Sequence, residues 1–250
     1  MQVFITGVSS GIGKDLVKLL VRQGHEVRGI ARSVDRLQSL ADEVGQAGFR
    51  YDVCDISDPS ASNTLQEKMS QEGYVPDIVV LNAAIDLEDE LPGLDADLSR
   101  QIMRTNYDGA HYWIAAFIEP FLHRGSGQFI AISSLFAQWP DNASVSYSAS
   151  KAALSMLMRG LRMRYANKAI DFKILYLGPV DTPINPRFSE GQSSQSLVVA
   201  SSPKTAEYIV RMISSKRQSF YYPTYILLIF TFLRWLPDKI FELVTSPFKR

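Results

Sequence analysis

Hydrophobic positions along the chain group into short runs, separated by stretches in which they recur every three or four residues. Val3-Phe4-Ile5 is such a run, and Ile12, Leu16, Leu19 and Leu20 follow at helical spacing. The run predicts a buried strand and the spacing a helix with one apolar face. The alternation returns with Val27 to Ile30 ahead of Val34, Leu37, Leu40, Ala41 and Val44, and with Phe49 to Val53 ahead of a helical pattern over residues 60 to 72. Further strands are predicted at Ile78 to Leu81, Phe129 to Ile132 and Phe172 to Leu177, and a seventh at Ser219 to Tyr222. Long helical segments near residues 96 to 123 and 147 to 166 lie between them.

Strands this apolar on both faces belong in a parallel sheet covered by helices, which predicts an α/β, doubly wound fold of about seven strands. The 250 residues can bury one large core and are too few for two ordinary domains. Residues 1–222 are therefore expected to form a single domain, and residues 223–250 an apolar helical extension of it. The serine-rich stretch Ser189 to Ser202 predicts a long loop, of the kind that often covers a site.

Composition narrows the function classes. Lysine plus arginine and aspartate plus glutamate number 26 each, so no net field draws the whole chain to nucleic acid. Cys54 is the only cysteine, which excludes an internal disulfide and a metal thiolate cluster. His25, His111 and His123 are scattered and match no metal-ligand spacing, so no metal is expected. Nothing in Met1-Gln2-Val3-Phe4-Ile5 resembles an export signal, and cytoplasmic residence is expected.

Between the first strand and first helix stands Thr6-Gly7-Val8-Ser9-Ser10-Gly11-Ile12-Gly13. Gly7 permits a sharp turn, Gly11 lets backbone approach a pyrophosphate, and Gly13 lets the helix pack on the sheet. The helix N-terminus offers free N–H groups and a positive dipole end, so this is where a Rossmann-type sheet would hold a dinucleotide. Cofactor choice is read at the end of the second strand. There the chain has Ala31-Arg32-Ser33 and no acid, which favours NADP(H), with its 2′-phosphate, over NAD(H).

Tyr147-Ser148-Ala149-Ser150-Lys151 opens a later helix, and a separation of four puts Tyr147 and Lys151 on one face. Phenol is a poor acid or base at neutral pH, and a neighbouring ammonium is expected to lower its pKa into a useful range. With the glycine turn, this pair resembles the short-chain dehydrogenase/reductase family in its compact, classical-type, NADP-preferring form, over nearly the whole chain to about Tyr222. The family's Thr-Gly-x-x-x-Gly-x-Gly is matched by Thr6 to Gly13, and its Asn-Ala-Gly turn by Asn82-Ala83-Ala84, with Ala84 in place of glycine. Its acid after the third strand corresponds to Asp52, followed by Val53. Its helix asparagine falls on Asn106, its serine on Ser134, and its proline-glycine motif on Gly178-Pro179-Val180-Asp181-Thr182, in altered order.

The resemblance implies roles. Tyr147 would exchange the proton with the substrate oxygen, Ser134 would hydrogen-bond that oxygen, Lys151 would lower the tyrosine pKa and contact the nicotinamide ribose, and Asn106 would hold a water linking Lys151 to solvent. Gly7, Ser9, Ser10, Gly11, Ile12, Gly13, Arg32, Asp52, Val53, Asn82, Ala83, Ala84, Tyr147, Lys151, Pro179, Val180 and Thr182 would bind the cofactor. A homodimer or homotetramer is the implied assembly.

Loops at the C-terminal ends of the strands set specificity in this architecture. Leu135, Phe136, Gln138, Trp139, Ile184 and Phe188 supply a mostly apolar set, so a hydrophobic or lipid-like ketone, aldehyde or alcohol is the expected substrate. Tyr225 to Leu236 reads as a helix apolar on nearly every side, about 18 Å long against a hydrocarbon core near 30 Å, so it cannot span. Two readings stand: burial against the body or a second subunit, or a peripheral position at the inner membrane surface, with Arg234, Lys239, Lys249 and Arg250 as a basic fringe. Two other functions fit the fold: a cofactor-binding regulatory protein without turnover, and a nucleotide-sugar epimerase or dehydratase. The polar set of Asn106, Ser134, Tyr147 and Lys151 argues against the first, and the single short domain against the second.

Overall fold

The computed structural model describes residues 1–45, 47–87, 93–140, 144–184, 199–225 and 240. Its strands are β1 (Gln2–Thr6), β2 (Glu26–Ala31), β3 (Phe49–Val53), β4 (Ile78–Leu81), β5 (Gly127–Ser134), β6 (Ile170–Leu177), β7 (Val180–Asp181), β8 (Ala200–Ser201) and β9 (Ser219–Tyr222). Seven of them form one parallel sheet in the order β3-β2-β1-β4-β5-β6-β9, and β7 pairs with β8 apart from it. The helices are α1 (Gly11–Arg22), α2 (Val34–Val44), α3 (Pro59–Gln71), α4 (Ala96–Met103), α5 (Gly109–Arg124), α6 (Val145–Arg164) and α7 (Ser202–Ile213).

Side chains of successive strand residues point to opposite faces, and both faces here are apolar. Val3, Ile5 and Val27 meet Leu16, Leu20, Leu37, Leu40, Ile209 and Met212 of α1, α2 and α7 on one side. Phe4, Val79, Phe129 and Phe172 meet Leu65, Trp113, Phe117, Phe121, Leu154 and Met158 of α3, α5 and α6 on the other. Rings dominate that second layer: Phe4 lies 4.7 Å from Trp113, and Phe121 4.9 Å from Phe129. Each such fully buried side chain contributes about 1.5–3 kcal/mol of burial.

The predicted fold is the observed one, with two local differences. The segment expected as one helix over residues 96 to 123 is broken by a π-helical turn at Arg104–Asp108. That turn carries Thr105 and Asn106 into the interior, and Gly109 just beyond presses so close that a side chain there would begin 2.7 Å from the Ile56 carbonyl oxygen. Helix α7 was not expected, and it takes Ser202, the last residue of the predicted loop, as its first. Residues 189 to 198 of that loop lie outside the described residues, as do Phe188 and all of the apolar tail except Pro223, Thr224, Tyr225 and Ile240.

The strand order fixes where a ligand can sit. From β1 the chain builds outward to β3, then crosses back to place β4 on the other side of β1. The connections after β1 and β4 therefore part in opposite directions, leaving a crevice beyond their C-terminal ends.

Candidate active site

The glycine turn occupies that crevice and is closed by the loop after β4. Asn82 Nδ2 donates to the Thr6 and Gly7 carbonyls at 3.1 and 3.0 Å, while Thr6 Oγ1 accepts from the Asn82 and Ala83 amides at 3.1 and 3.0 Å. Gly7 adopts φ +75° and Gly11 φ +53°, left-handed values that favour glycine. A β-carbon on Gly13 would stand 2.2 Å from the Gly7 carbonyl oxygen, so only glycine fits there. Ser10, the residue ahead of α1, makes no side-chain cap bond, which leaves the first-turn N–H groups for an acceptor from outside. Thr182 borders the turn, its methyl 3.2 Å from where a Gly11 side chain would begin. Ser9 and Ile12 are half-buried around it, and Val180 is buried nearby on β7, whose preceding residue Pro179 accepts from the Ala200 amide at 3.0 Å. The residues fit a dinucleotide pyrophosphate. Ala84 is no obstacle, since no non-glycine residue among those described has positive φ.

At the end of β2, Arg32 is largely exposed and its guanidinium lies 3.9 Å from Asp55. Asp52 stands on β3. Its two carboxylate oxygens are taken by Arg28 at 2.8 Å and Lys68 at 2.5 Å, and its side chain is only 11% exposed. Burial opposes its charge, but those two cations hold its pKa below the usual carboxylate value. Asp52 thus joins the buried Arg28, which also meets Glu72 at 2.6 Å, in an ion-pair network between β2, β3 and α3. The acid beyond the sheet edge is Asp55, held by the Ser57 amide and hydroxyl at 2.9 and 2.7 Å. Asp-Val-Cys-Asp and Asp-Ile-Ser-Asp overlap at Asp55, so spacing alone matched either acid. The helix start would have separated them: Asp58 accepts from the Ser60 amide and Pro59 takes the first helical position, leaving Asp55 in the loop.

Farther along the sheet, Ser134 ends β5 and Tyr147 and Lys151 lie in the first turns of α6. The Ser134 hydroxyl bonds the Tyr147 phenol and accepts from the Phe136 amide at 3.1 Å. Ser133 points the other way, onto Ser155 at 2.7 Å, and ties β5 to α6. Lys151 is buried, with Nζ donating to the Ile132 carbonyl at 2.9 Å and lying 5.6 Å from the Tyr147 ring centre. Burial lowers its pKa to about 8, against a raising contribution from Asp86.

The phenol does not follow the expectation of a lowered pKa. Burial first, and then the Asp86 charge, push it well above its ordinary value, with only the Ser134 hydrogen bond pulling it down. Lys151 gives one of its three N–H donors to a carbonyl, and it is not among the groups that pull the phenol down. Asn106 joins the loop after β4 to α6. Its Oδ1 accepts from the Ile85 amide at 2.8 Å, and its Nδ2 donates to the Ile85 carbonyl at 2.9 Å and to Ser150 Oγ at 3.0 Å. With both amide hydrogens engaged, its side chain works as a clamp between the β4 loop and α6.

The family model described as short chain dehydrogenase matches residues 1–193. The chain belongs to the short chain dehydrogenase family. It is 30% identical over 182 residues to an oxidoreductase of Myxococcus xanthus, covering 72% of each protein. It is 26% identical over 188 residues to 3-oxoacyl-[acyl-carrier-protein] reductase of Escherichia coli, covering 75% of this chain and 77% of that one. A short-chain dehydrogenase from Sphingobium yanoikuyae, solved with NADPH, superposes with a TM-score of 0.82 at 20% identity, covering 98% of this chain and 95% of that one. The last likeness speaks for the fold. This short chain dehydrogenase is an oxidoreductase acting on the CH–OH group of donors.

The residues expected around the substrate divide. Leu135 is buried in the core and Trp139 packs against it, whereas Phe136 and Ile184 are exposed. Gln138 donates to the Tyr221 hydroxyl at 3.0 Å, and Tyr221 stacks on Tyr176 at 5.0 Å, so β6 and β9 contribute two rings that the sequence did not single out. His111 stacks on Tyr107, and His123 faces Glu119 at 3.5 Å on the surface. Among the described residues no His, Cys, Asp and Glu cluster could hold a metal, and no helix is long and apolar enough to cross a membrane.

Proposed function

We propose that this short chain dehydrogenase interconverts a ketone or aldehyde and an alcohol with NADP(H), with Tyr147 as the general acid and base and an apolar substrate. One observation carries the reading: the Ser134 hydroxyl bonds the Tyr147 phenol, with the Lys151 ammonium over the same ring, at strand ends beside the crevice that the glycine turn occupies. The bound cofactor supplies or accepts the hydride. The protein's own groups orient and move the proton. Tyr147, kept protonated by burial, gives its proton to the substrate oxygen in reduction, while Ser134 holds that oxygen.

At the other end, Gly11 and the free N–H groups of α1 take the pyrophosphate. Exposed Arg32 takes the 2′-phosphate, and Asp55, not Asp52, faces the adenine side. Thr182 and Val180 bound the nicotinamide side. Phe136, Ile184, Trp139 and Tyr221 argue for an apolar substrate.

Nicotinamide fluorescence titration with NADPH and NADH tests the cofactor, with NADPH expected to bind about tenfold tighter or more. Equal affinity, or tighter NADH, removes the role of Arg32. NADPH consumption with aliphatic, steroid-like and acyl ketones tests the chemistry, and no turnover across that panel defeats the apolar-carbonyl reading.

A further inference from the structure

We propose that Ser150 is a positioning residue: its buried hydroxyl joins Asn106 to the Tyr147 carbonyl and so sets where the phenol stands beside the cofactor crevice. The inference rests on the proposed role of Tyr147 and adds the residue that places it.

The Ser144 hydroxyl, just ahead of α6, makes no cap bond to the first turn of that helix. Contacts to other elements take that part. Ser146 and Ser150, one turn apart on the same face and both buried, reach α4 and the π-helical turn. Ser146 Oγ lies 2.6 Å from Ser99 Oγ of α4. Ser150 Oγ accepts from Asn106 Nδ2 at 3.0 Å and donates to the Tyr147 carbonyl at 2.7 Å, so its proton and a lone pair are both engaged. The Tyr147 carbonyl is the one that a regular helix offers to the Lys151 amide, which puts the Ser150 hydroxyl on the turn that carries both side chains.

The far end of the link is anchored. Asn106 also bonds the Ile85 amide and carbonyl, and in the same loop Asn82 bonds the Thr6 and Gly7 carbonyls. Hydrogen bonds and one short stretch of backbone thus run from the glycine turn to the Tyr147 carbonyl, with Ser150 as the last member. From the other side Ser134 bonds the phenol, and farther along α6 the Ser133–Ser155 contact ties the helix to β5. Without the Ser150 hydroxyl, Asn106 keeps its hold on Ile85 while the Tyr147 turn is free to shift against Ser134. Reaction rate is steep in such a shift, about 100-fold for about 1 Å. Ser150 is fully buried, so it acts through Tyr147 and not on the substrate.

Three measurements on the full chain test this. In NADPH-dependent ketone reduction, Ser150→Ala is expected to lower kcat about tenfold with NADPH affinity unchanged. In protein labelled with 13Cζ-tyrosine, with Tyr147 assigned by Tyr147→Phe, the Tyr147 resonance is expected to move in Ser150→Ala. A merely structural role would lower the melting temperature and leave that resonance in place. Combined with Asn106→Ala, Ser150→Ala should add nothing to the loss in kcat, because both cut one link. Ser150→Cys, which fills the space with a weaker donor and acceptor, carries the test should the alanine variant not fold, with a smaller loss in kcat and a resonance shift of the same sign. An unmoved Tyr147 resonance overturns the inference, and so does an unchanged kcat, a loss of NADPH affinity equal to the loss of rate, or a double variant whose loss is the product of the two. Failure of the underlying reading looks different: wild-type protein would reduce no ketone, or would keep its rate in Tyr147→Phe, while the Tyr147 resonance still responds to Ser150→Ala.

Discussion

In the proposed reading, the working parts at the β1–α1 turn are backbone groups, held in place by Thr6 and Asn82 and made accessible by glycines. At the start of α6 they are side chains, Tyr147 and Lys151, whose protons are governed by burial. The first end works through shape and the second through charge. A substitution at the first should therefore act on folding and cofactor affinity with little pH dependence, and one at the second on rate and its pH dependence.

The sharpest way to break this contrast is Gly13→Ala. The added methyl would begin 2.2 Å from the Gly7 carbonyl, so the turn must open, at a cost of about 3 kcal/mol. A melting temperature and NADPH affinity equal to wild type would mean that the turn is not closed as described. Asn106→Ala comes next. It strands the Ile85 amide and carbonyl, costs about 1–3 kcal/mol of stability and lowers kcat about tenfold, with NADPH affinity nearly kept. If affinity falls and kcat does not, the clamp serves the cofactor end instead.

The smallest expected effect separates the two acids. Asp52→Asn should lower the melting temperature and leave NADPH affinity intact, whereas Asp55→Asn should do the reverse. Because ion pairing holds the folded-state pKa of Asp52 below its unfolded value, its contribution is present above that unfolded value and is lost as pH falls through the folded one. The stability gap between wild type and Asp52→Asn should accordingly close toward acid pH, as followed by thermal melts at several pH values.

The same division explains what the residue order revealed. The strand Ile78–Leu81 begins and ends where its apolar run does, because burial on both faces writes itself into a continuous run. The glycine turn was legible for a similar reason, since left-handed backbone and close approach each demand one residue type. The partners of side chains were not legible. Asp52 and Asp55 share one local pattern, and only the path of β3 and the cap of α3 tell them apart. The π-helical turn leaves no mark in periodicity, yet it decides that Asn106 faces Ile85.

The central claim is that the Tyr147 phenol transfers the proton while the cofactor end stands apart from it. Tyr147→Phe, compared with wild type in NADPH-dependent ketone reduction and in NADPH binding, tests that directly. The expected result is a loss of about 100-fold or more in kcat with NADPH affinity unchanged. A rate within a few-fold of wild type, or a loss of rate matched by a loss of NADPH binding, would contradict it.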